Sequence, residues 1–198
     1  MAQARKKQRF FDVEMPLIGK ETQLYSYSVK DLDGRTITYD LTRLLRGKSI
    51  LLKMDVKVKE DKAVAIPREL KVLPYFTRRM IRKGTNYVED SFAAECKDAQ
   101  IRIKPFLITR KKVSREVRKA LRNKAKEELE NYVKNKNSEV LFDEILKNKL
   151  QKELSLKLKK VYPLSLCEIR MFQIVKRLEN KKESKDNHEE LKSEKTKK

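Results

Sequence analysis

The residue types that carry out most enzyme chemistry are scarce in this chain of 198 residues. His188 is the single histidine and lies in a polar segment, which argues against Ser-His and Cys-His nucleophiles and against most zinc enzymes. Cys96 and Cys167 lie far apart, each in an apolar, strand-like setting without CxxC spacing. We expect both cysteines to be buried free thiols.

Clustered carboxylates, which a metal-dependent nuclease would need, are also scarce. Glu89 and Asp90 are neighbours and would point to opposite faces of a strand, so Asp12 with Glu14 is the close pair predicted to share a face. We interpret that pair as solvated acids. No GxGxxG or Walker-type loop is present, and the chain holds only four glycines. The sequence therefore predicts a protein that is not an enzyme and that uses no metal or cofactor.

Cations are the abundant chemical group. The segment from 102 to 126, RIKPFLITRKKVSREVRKALRNKAK, holds eleven Lys or Arg against one acid, a net charge of +10 out of +21 for the whole chain. Such a concentration is typical of a phosphate-backbone partner. A membrane is disfavoured because the sequence shows no long apolar stretch, no basic amphipathic helix with bulky apolar residues and no lipidation signal. No apolar leader opens the chain, so we expect a cytoplasmic protein.

Strands are predicted to dominate the first half of the chain. FFDVEM, TQLYSYSVK and RTITYDL read as three strands, the last after an Asp-Gly turn at 33–34. A helical turn at 41–46 precedes SILLKMDVKVKE, which alternates clearly and forms a hairpin with KAVAIPRELKVL through a turn at 60–61. Pro67 in the second strand of that hairpin predicts an edge strand or a bulge.

Short helices and further strands are predicted in the second half. Pro74 begins a short helix that ends at Gly84, and NYVEDSFAAECK and AQIRIKPFLI follow as two strands. In the second of these strands, Arg102 and Lys104 share one face. Two helices, at about 138–147 and from 149 to before Pro163, lead into a central strand, LSLCEIRMFQIV.

One helix is predicted to have a core side and a cationic side. Ser114 caps it, and it runs to about Val133. At 100° per residue, Val113, Val117, Ala120 and Leu121 gather on one side. The cations expected on the other side are Arg115, Arg118, Arg122 and Lys126, whereas Lys119 and Lys124 are expected to lie off this stripe. Acids that could neutralise the stripe are missing until Glu127, so it is predicted to face a partner.

RNA is the favoured polyanion, because helix-turn-helix, zinc-finger and RRM patterns are absent and strands are plentiful. The candidate phosphate contacts are Arg5, Lys6, Lys7 and Arg9 in the arm, Arg78, Arg79, Arg82 and Lys83 near the short helix, and Arg102, Lys104, Arg110, Lys111, Lys112, Arg115, Arg118, Arg122 and Lys126 in the main run. Aromatic residues close to these cations could stack on unpaired bases, although such residues more often belong to a core. The stacking candidates are Tyr75, Phe76, Tyr87 and Phe106.

Three regions are predicted along the chain. Residues 1–9 form a basic N-terminal arm, residues 10–178 a single RNA-binding domain, and residues 179–198 a charged tail. The tail holds seven bases and six acids with almost no apolar residues. We therefore expect the tail to be disordered or a solvated helix.

Two long runs resemble a known family. RRMIRKGTNYVEDSFAAECKDAQIRIKPFLITRKKVSREVRKALR, from 78 to 122, closely resembles the archaeal form of ribosomal protein S-three-A-e, also called e-S-one, of the small subunit. LQKELSLKLKKVYPLSLCEIR, from 150 to 170, is similar to the same family. The resemblance implies an α+β fold with a curved or barrel-like, mostly antiparallel sheet and flanking helices.

The resemblance also implies a structural, ribosome-associated protein that binds small-subunit rRNA. Family members sit on the platform near the mRNA exit and the 3′ end of the rRNA, beside the proteins S-eleven and, where present, S-twenty-six-e. We expect such a protein not to form homo-oligomers. The alternative is a free RNA-binding regulator or RNA chaperone that acts off the ribosome.

Overall fold

The computed structural model describes residues 7–45, 47–59 and 62–178. Arg5, Lys6, the turn at 60–61 and the tail at 179–198 lie outside the described residues. The strands are β1 (Arg9–Met15), β2 (Lys20–Ser26), β3 (Thr36–Asp40), β4 (Ile50–Lys59), β5 (Lys62–Val72), β6 (Tyr87–Glu89), β7 (Phe92–Glu95), β8 (Ala99–Thr109) and β9 (Leu164–Arg177). The helices are α1 (Pro74–Met80), α2 (Arg115–Lys134), α3 (Ser138–Leu146) and α4 (Lys149–Leu158), with a 3-10 turn at Lys30–Leu32.

The described strands form one mixed sheet that does not close. Its main path runs β2-β1-β5-β9-β8-β6, while β4 pairs with β5 and β3, and β7 pairs with β8. Only the short β1–β5 pairing, at Ala63 and Val64 of β5, is parallel. The predicted α+β class with a mostly antiparallel sheet and flanking helices is confirmed.

Proline residues occupy interior strands beside bulges. β5 pairs with β4 along its whole length and with β1 and β9 on its other edge, so the edge-strand reading of Pro67 is wrong and the bulge reading is confirmed. Arg68 is the extra residue at that bulge. Pro105 of β8 lies beside a second bulge, which leaves Arg170 of β9 as the extra residue. Proline has no backbone N–H to donate to a neighbouring strand. A bulge accommodates it because the hydrogen-bond ladder between the strands is already interrupted there.

Several predicted elements are shorter than expected, including β2, which ends at Ser26, and α4, which ends at Leu158. NYVEDSFAAECK is broken into β6 and β7, because the Asp90 carboxylate accepts a hydrogen bond from the Ser91 backbone amide at 2.8 Å and turns the chain. The helix after Pro74 ends at Met80, and Ile81 is already extended. The cations Arg82 and Lys83 therefore lie in a loop.

Three helices cover the β5-β9-β8 region. α4 packs on β9, α2 on β6, β7 and α4, and α3 on β5 and α4. Phe142 of α3 meets Phe172 of β9 edge-on, with ring centroids 4.8 Å apart. The buried residues of α2 recur every four positions, namely Leu121, Ala125, Leu129 and Val133. Ala120 lies off this ridge and is exposed, so its predicted place on the core side is wrong.

Both cysteines are free and buried, as predicted. Burial, followed by the charge of Glu168, raises the pKa of the Cys167 thiol to about 12. Burial also raises the pKa of Cys96, whose Sγ donates to the Ala99 carbonyl at 2.8 Å. Within the described ranges, no helix is long and apolar enough to cross a membrane.

Candidate nucleic-acid interface

Two cation-bearing loops are held side by side by Asn86 and Thr109. The backbone amide of Thr109 donates to the Asn86 carbonyl at 2.9 Å, and the Asn86 amide donates to the Thr109 hydroxyl oxygen at 3.0 Å. The Asn86 side-chain oxygen accepts from the Val113 amide at 2.8 Å. These bonds place the loop at 81–86, with Arg82 and Lys83, beside the loop at 110–113. Two patches that are separate in the sequence thus become neighbours.

The second loop leads directly into the cationic side of α2. The Ser114 hydroxyl accepts from the Val117 amide at 3.3 Å, which confirms the predicted N-cap. Arg115, Lys119 and Arg122 follow at spacings of four and three residues and are exposed, so they share one face. The prediction that Lys119 lies off this face is therefore wrong.

Arg118 lies at the edge of the core and not on the outer face. Its side chain is half-buried, and its Nε is enclosed without a hydrogen-bond partner among the described residues. On the helix it lies next to the ridge that contains Leu121. The sequence pattern identified the charge of this residue but not its burial, because the rotation of α2 against the sheet decides which flank is covered.

Acidic residues neutralise the second half of α2 but not the first. Lys124 pairs with Glu127 at 3.1 Å and with Glu128 at 3.3 Å, and Lys126 pairs with Glu130 at 3.8 Å. Lys126 is the one candidate phosphate contact with an ion pair among the described residues. The exposed cations of the two loops and of the first half of α2 have no ion pair among the described residues and are therefore available to an external anion.

A cleft lies between α2 and the sheet. It has a volume of about 690 Å³, and its cationic lining residues are Lys71 of β5, Lys104 of β8, Arg122 of α2 and Arg170 of β9. Strand register explains this gathering, because Met171 pairs with both Lys71 and Lys104, which places the two lysines in one row. Glu89 and Asp90 also line the cleft. Lys71 and Arg170 were missed by sequence reasoning, since only the β5-β9-β8 order brings them beside Lys104.

Two of the four stacking candidates are part of the core. Phe76 is 7% exposed and Phe106 is 1% exposed, so neither ring offers a face to a base, and the stacking hypothesis for them is wrong. Tyr75 and Tyr87 are about half exposed. The Tyr75 hydroxyl donates to Ser49 Oγ, which fixes the ring, and both tyrosines stay candidates.

We call the two loops, the first half of α2 and the cleft together the cationic surface. Its members are Arg82, Lys83, Arg110, Lys111, Lys112, Arg115, Lys119, Arg122, Lys71, Lys104 and Arg170. Arg102 is exposed on β8 in the row next to Lys104, and Arg78 and Arg79 are exposed on α1. Lys7 and Arg9 are exposed just before and at the start of β1, which lies three strands from β8, so these two cations belong to a separate group.

The acid pair considered for a metal-dependent nuclease, Asp12 with Glu14, is exposed to solvent. Asp12 is exposed and its carboxylate accepts from Gln23 Nε2 at 3.0 Å, as expected of a solvated acid. The described part of the chain contains no group of three or more His, Cys, Asp or Glu placed to hold a metal ion.

Comparisons with known proteins point in one direction. The model of the Ribosomal S3Ae family matches residues 3–178. The chain is 24% identical over 178 residues to small ribosomal subunit protein eS1 of Nanoarchaeum equitans, covering 85% of this chain and 89% of that protein. It is 32% identical over 95 residues to small ribosomal subunit protein eS1 of Methanothermobacter thermautotrophicus, covering 48% of this chain and 49% of that protein.

Proposed function

Because the chain belongs to the ribosomal S3Ae family, whose members are structural, non-enzymatic components of the small ribosomal subunit, we propose that it binds rRNA on the subunit platform near the mRNA exit. The observation that supports the RNA-binding role most strongly is the cationic surface. Two loops, one helix face and one cleft converge there without ion pairs, apart from the Arg170–Glu89 contact, among the described residues.

The chemistry of this surface suits a folded RNA. Arginine and lysine side chains that lack protein carboxylates can neutralise phosphates and release the counterions condensed on RNA. The cations lie on loops, a helix and a sheet. Such a surface would recognise the three-dimensional shape of the RNA backbone and not its base sequence. Tyr75 and Tyr87 can add stacking where a base is unpaired.

The neighbours of the protein follow from the same proposal. A platform position would place it beside the proteins S-eleven and, where present, S-twenty-six-e, as a single copy in the subunit. The N-terminal arm at 1–9 would add further phosphate contacts, and residues 10–178 would form the folded unit that binds RNA.

Sedimentation of cell extracts tests the function as a whole. In a sucrose gradient, we expect the protein in near-stoichiometric amounts in small subunits and almost none at the top. A protein that stays mostly free of ribosomes would instead support the role of an RNA-binding regulator or chaperone and would contradict the proposal.

A further inference from the structure

The outward side of the first hairpin exposes an aromatic pair that the RNA-binding role does not use. Phe10 of β1 and Tyr25 of β2 lie directly opposite each other, are 67% and 50% exposed, and have ring centroids 4.9 Å apart. Tyr27, just after β2, is also exposed. Aromatic residues are costly to leave in water and are enriched at protein interfaces.

The rest of this side carries acids without cations. We call it the hairpin face, and its members are Phe10, Asp12 and Glu14 of β1 and Glu21, Gln23 and Tyr25 of β2. Lys20, at the end of β2, has the opposite strand parity and contacts the Tyr39 hydroxyl at 3.3 Å. In a chain with a formal charge of +21, the three exposed carboxylates of the hairpin are a local reversal of sign, and Lys57 and Lys62 on the neighbouring strands mark the boundary of this acidic face.

The hairpin face leads into a groove beside α3. Glu14 is paired with Val64 of β5, so both side chains lie on the same side of the sheet. The groove has a volume of about 470 Å³, and its lining includes Pro16, Leu17, Val64, Ile66, Glu139 and Asp143. Lys57 is the cation in the lining.

The edge of β5 is open at this groove. Among the described residues, β1 pairs with β5 only at Ala63 and Val64, and β9 pairs with it only from Glu69 to Lys71. The intervening residues have no strand partner on that edge, and the contact there is a long one, from Arg177 Nη2 to the Pro67 carbonyl at 3.5 Å. An open edge with an apolar floor suits an extended polypeptide.

We propose that the hairpin face and this groove bind an extended, lysine- and arginine-rich segment of another protein. Cationic side chains would lie over the Phe10 and Tyr25 rings and pair with the carboxylates, while their aliphatic stems cover the apolar floor. RNA is disfavoured on this side because its phosphates would meet carboxylates. The inference goes beyond the proposed function, since it concerns a different face and a different class of partner.

Peptide binding to the full chain tests the inference. The probe is a labelled peptide of repeating Arg-Gly-Leu units, followed by fluorescence anisotropy at low ionic strength. Because the protein as a whole repels cations, saturable binding reports a local acidic site. The combined variant Asp12→Asn, Glu14→Gln and Glu21→Gln should weaken binding about tenfold, roughly twofold for each exposed ion pair.

The matched control removes three exposed acids elsewhere and should bind the peptide as the wild type does. Its substitutions are Glu95→Gln, Glu116→Gln and Glu153→Gln. A second variant, Phe10→Thr with Tyr25→Thr, should lose peptide affinity but keep its affinity for labelled oligouridylate.

Three results would overturn the inference. They are the absence of saturable peptide binding, equal peptide affinity in the wild type and the triple acid variant, and a loss of oligouridylate binding without loss of peptide binding in the Phe10 and Tyr25 variant. The last result would identify the hairpin face as a base-stacking platform. None of these outcomes depends on whether the cationic surface binds rRNA.

Discussion

Arg170 Nη1 donates to both carboxylate oxygens of Glu89, at 2.9 Å each, inside the cleft between α2 and the sheet. A bulge in β9 makes Arg170 an extra residue beside Pro105 of β8, and Glu89 of β6 pairs with Phe106 on the other edge of β8, so the ion pair spans that strand. Both side chains are more than a third exposed, so the pair adds little to stability. Its main effect is to hold one cation of the cationic surface against an internal acid.

Removing that acid should strengthen RNA binding. Glu89→Gln takes one negative charge out of the cleft and frees Arg170, so we expect the affinity for a small-subunit rRNA transcript to rise by about twofold to fivefold at low salt. The slope of log Kd against log salt should also steepen by up to about one unit. Filter binding across a salt series measures both quantities. Glu153→Gln on α4 is the control, and weaker binding by Glu89→Gln would show that Glu89 positions Arg170 for RNA.

Asp98 should contribute to stability in a pH-dependent way. Its carboxylate accepts a 2.8 Å hydrogen bond from the Ser138 amide and another from the Ser138 hydroxyl, which ties the turn before β8 to the start of α3. Burial alone would raise the pKa of Asp98, but the hydrogen bonds from Ser138 outweigh it and lower the pKa. Asp98→Ala should reduce the free energy of unfolding by about 1–3 kcal/mol at neutral pH.

The sign of the pH dependence follows from the lowered pKa. The stabilisation by Asp98 is present above the unfolded-state pKa of about 3.9 and is lost as the pH falls through the lower folded-state value. Urea denaturation at several pH values should therefore show the gap between wild type and Asp98→Ala narrowing below about pH 4. The exposed acid variant Glu95→Gln is the control. A gap that stays constant with pH would contradict this account.

The two cysteines should resist thiol reagents in the folded protein. The thiolate is the reactive form, and burial raises the pKa values of both thiols, that of Cys167 to about 12. At pH near 8, Ellman's reagent should react with neither thiol until guanidinium unfolds the chain, and then with both. Rapid reaction of a native thiol would be inconsistent with this burial, and Cys96→Ser and Cys167→Ser would show which one reacts.

Local patterns predicted much of the fold. The alternation in β4, the cap at Ser114 and the bulge at Pro67 are encoded within a few residues, and the structure agrees with these predictions, whereas the bulge beside Pro105 was not predicted. The break between β6 and β7 was not predicted, because it depends on how Asp90 turns the chain. The flank of α2 that buries Arg118 and exposes Lys119 depends on tertiary packing.

The candidate site, like the fold, was predictable only where local sequence decides the outcome. The charge of the segment from 102 to 126 was evident from composition, but its union with Arg82 and Lys83 rests on the bonds between Asn86 and Thr109. Lys71 and Arg170 lie in the cationic surface because β5, β9 and β8 are neighbours in the sheet, and the sequence did not reveal that strand order. Phe76 and Phe106 were misjudged because exposure cannot be read from nearness to cations in the sequence.

The central claim is that the cationic surface holds this protein in the small subunit, and charge reversal on α2 tests it most directly. The test variant combines Arg115→Glu, Lys119→Glu and Arg122→Glu, which leaves the half-buried Arg118 in place. The control reverses three exposed lysines of α4 and its flank, Lys149→Glu, Lys152→Glu and Lys159→Glu.

Sucrose-gradient sedimentation of tagged variants with small subunits gives the readout, and circular dichroism confirms that both variants are folded. We predict that the control co-sediments with small subunits as the wild type does, whereas the α2 variant stays at the top of the gradient. Normal co-sedimentation of the folded α2 variant would contradict the account.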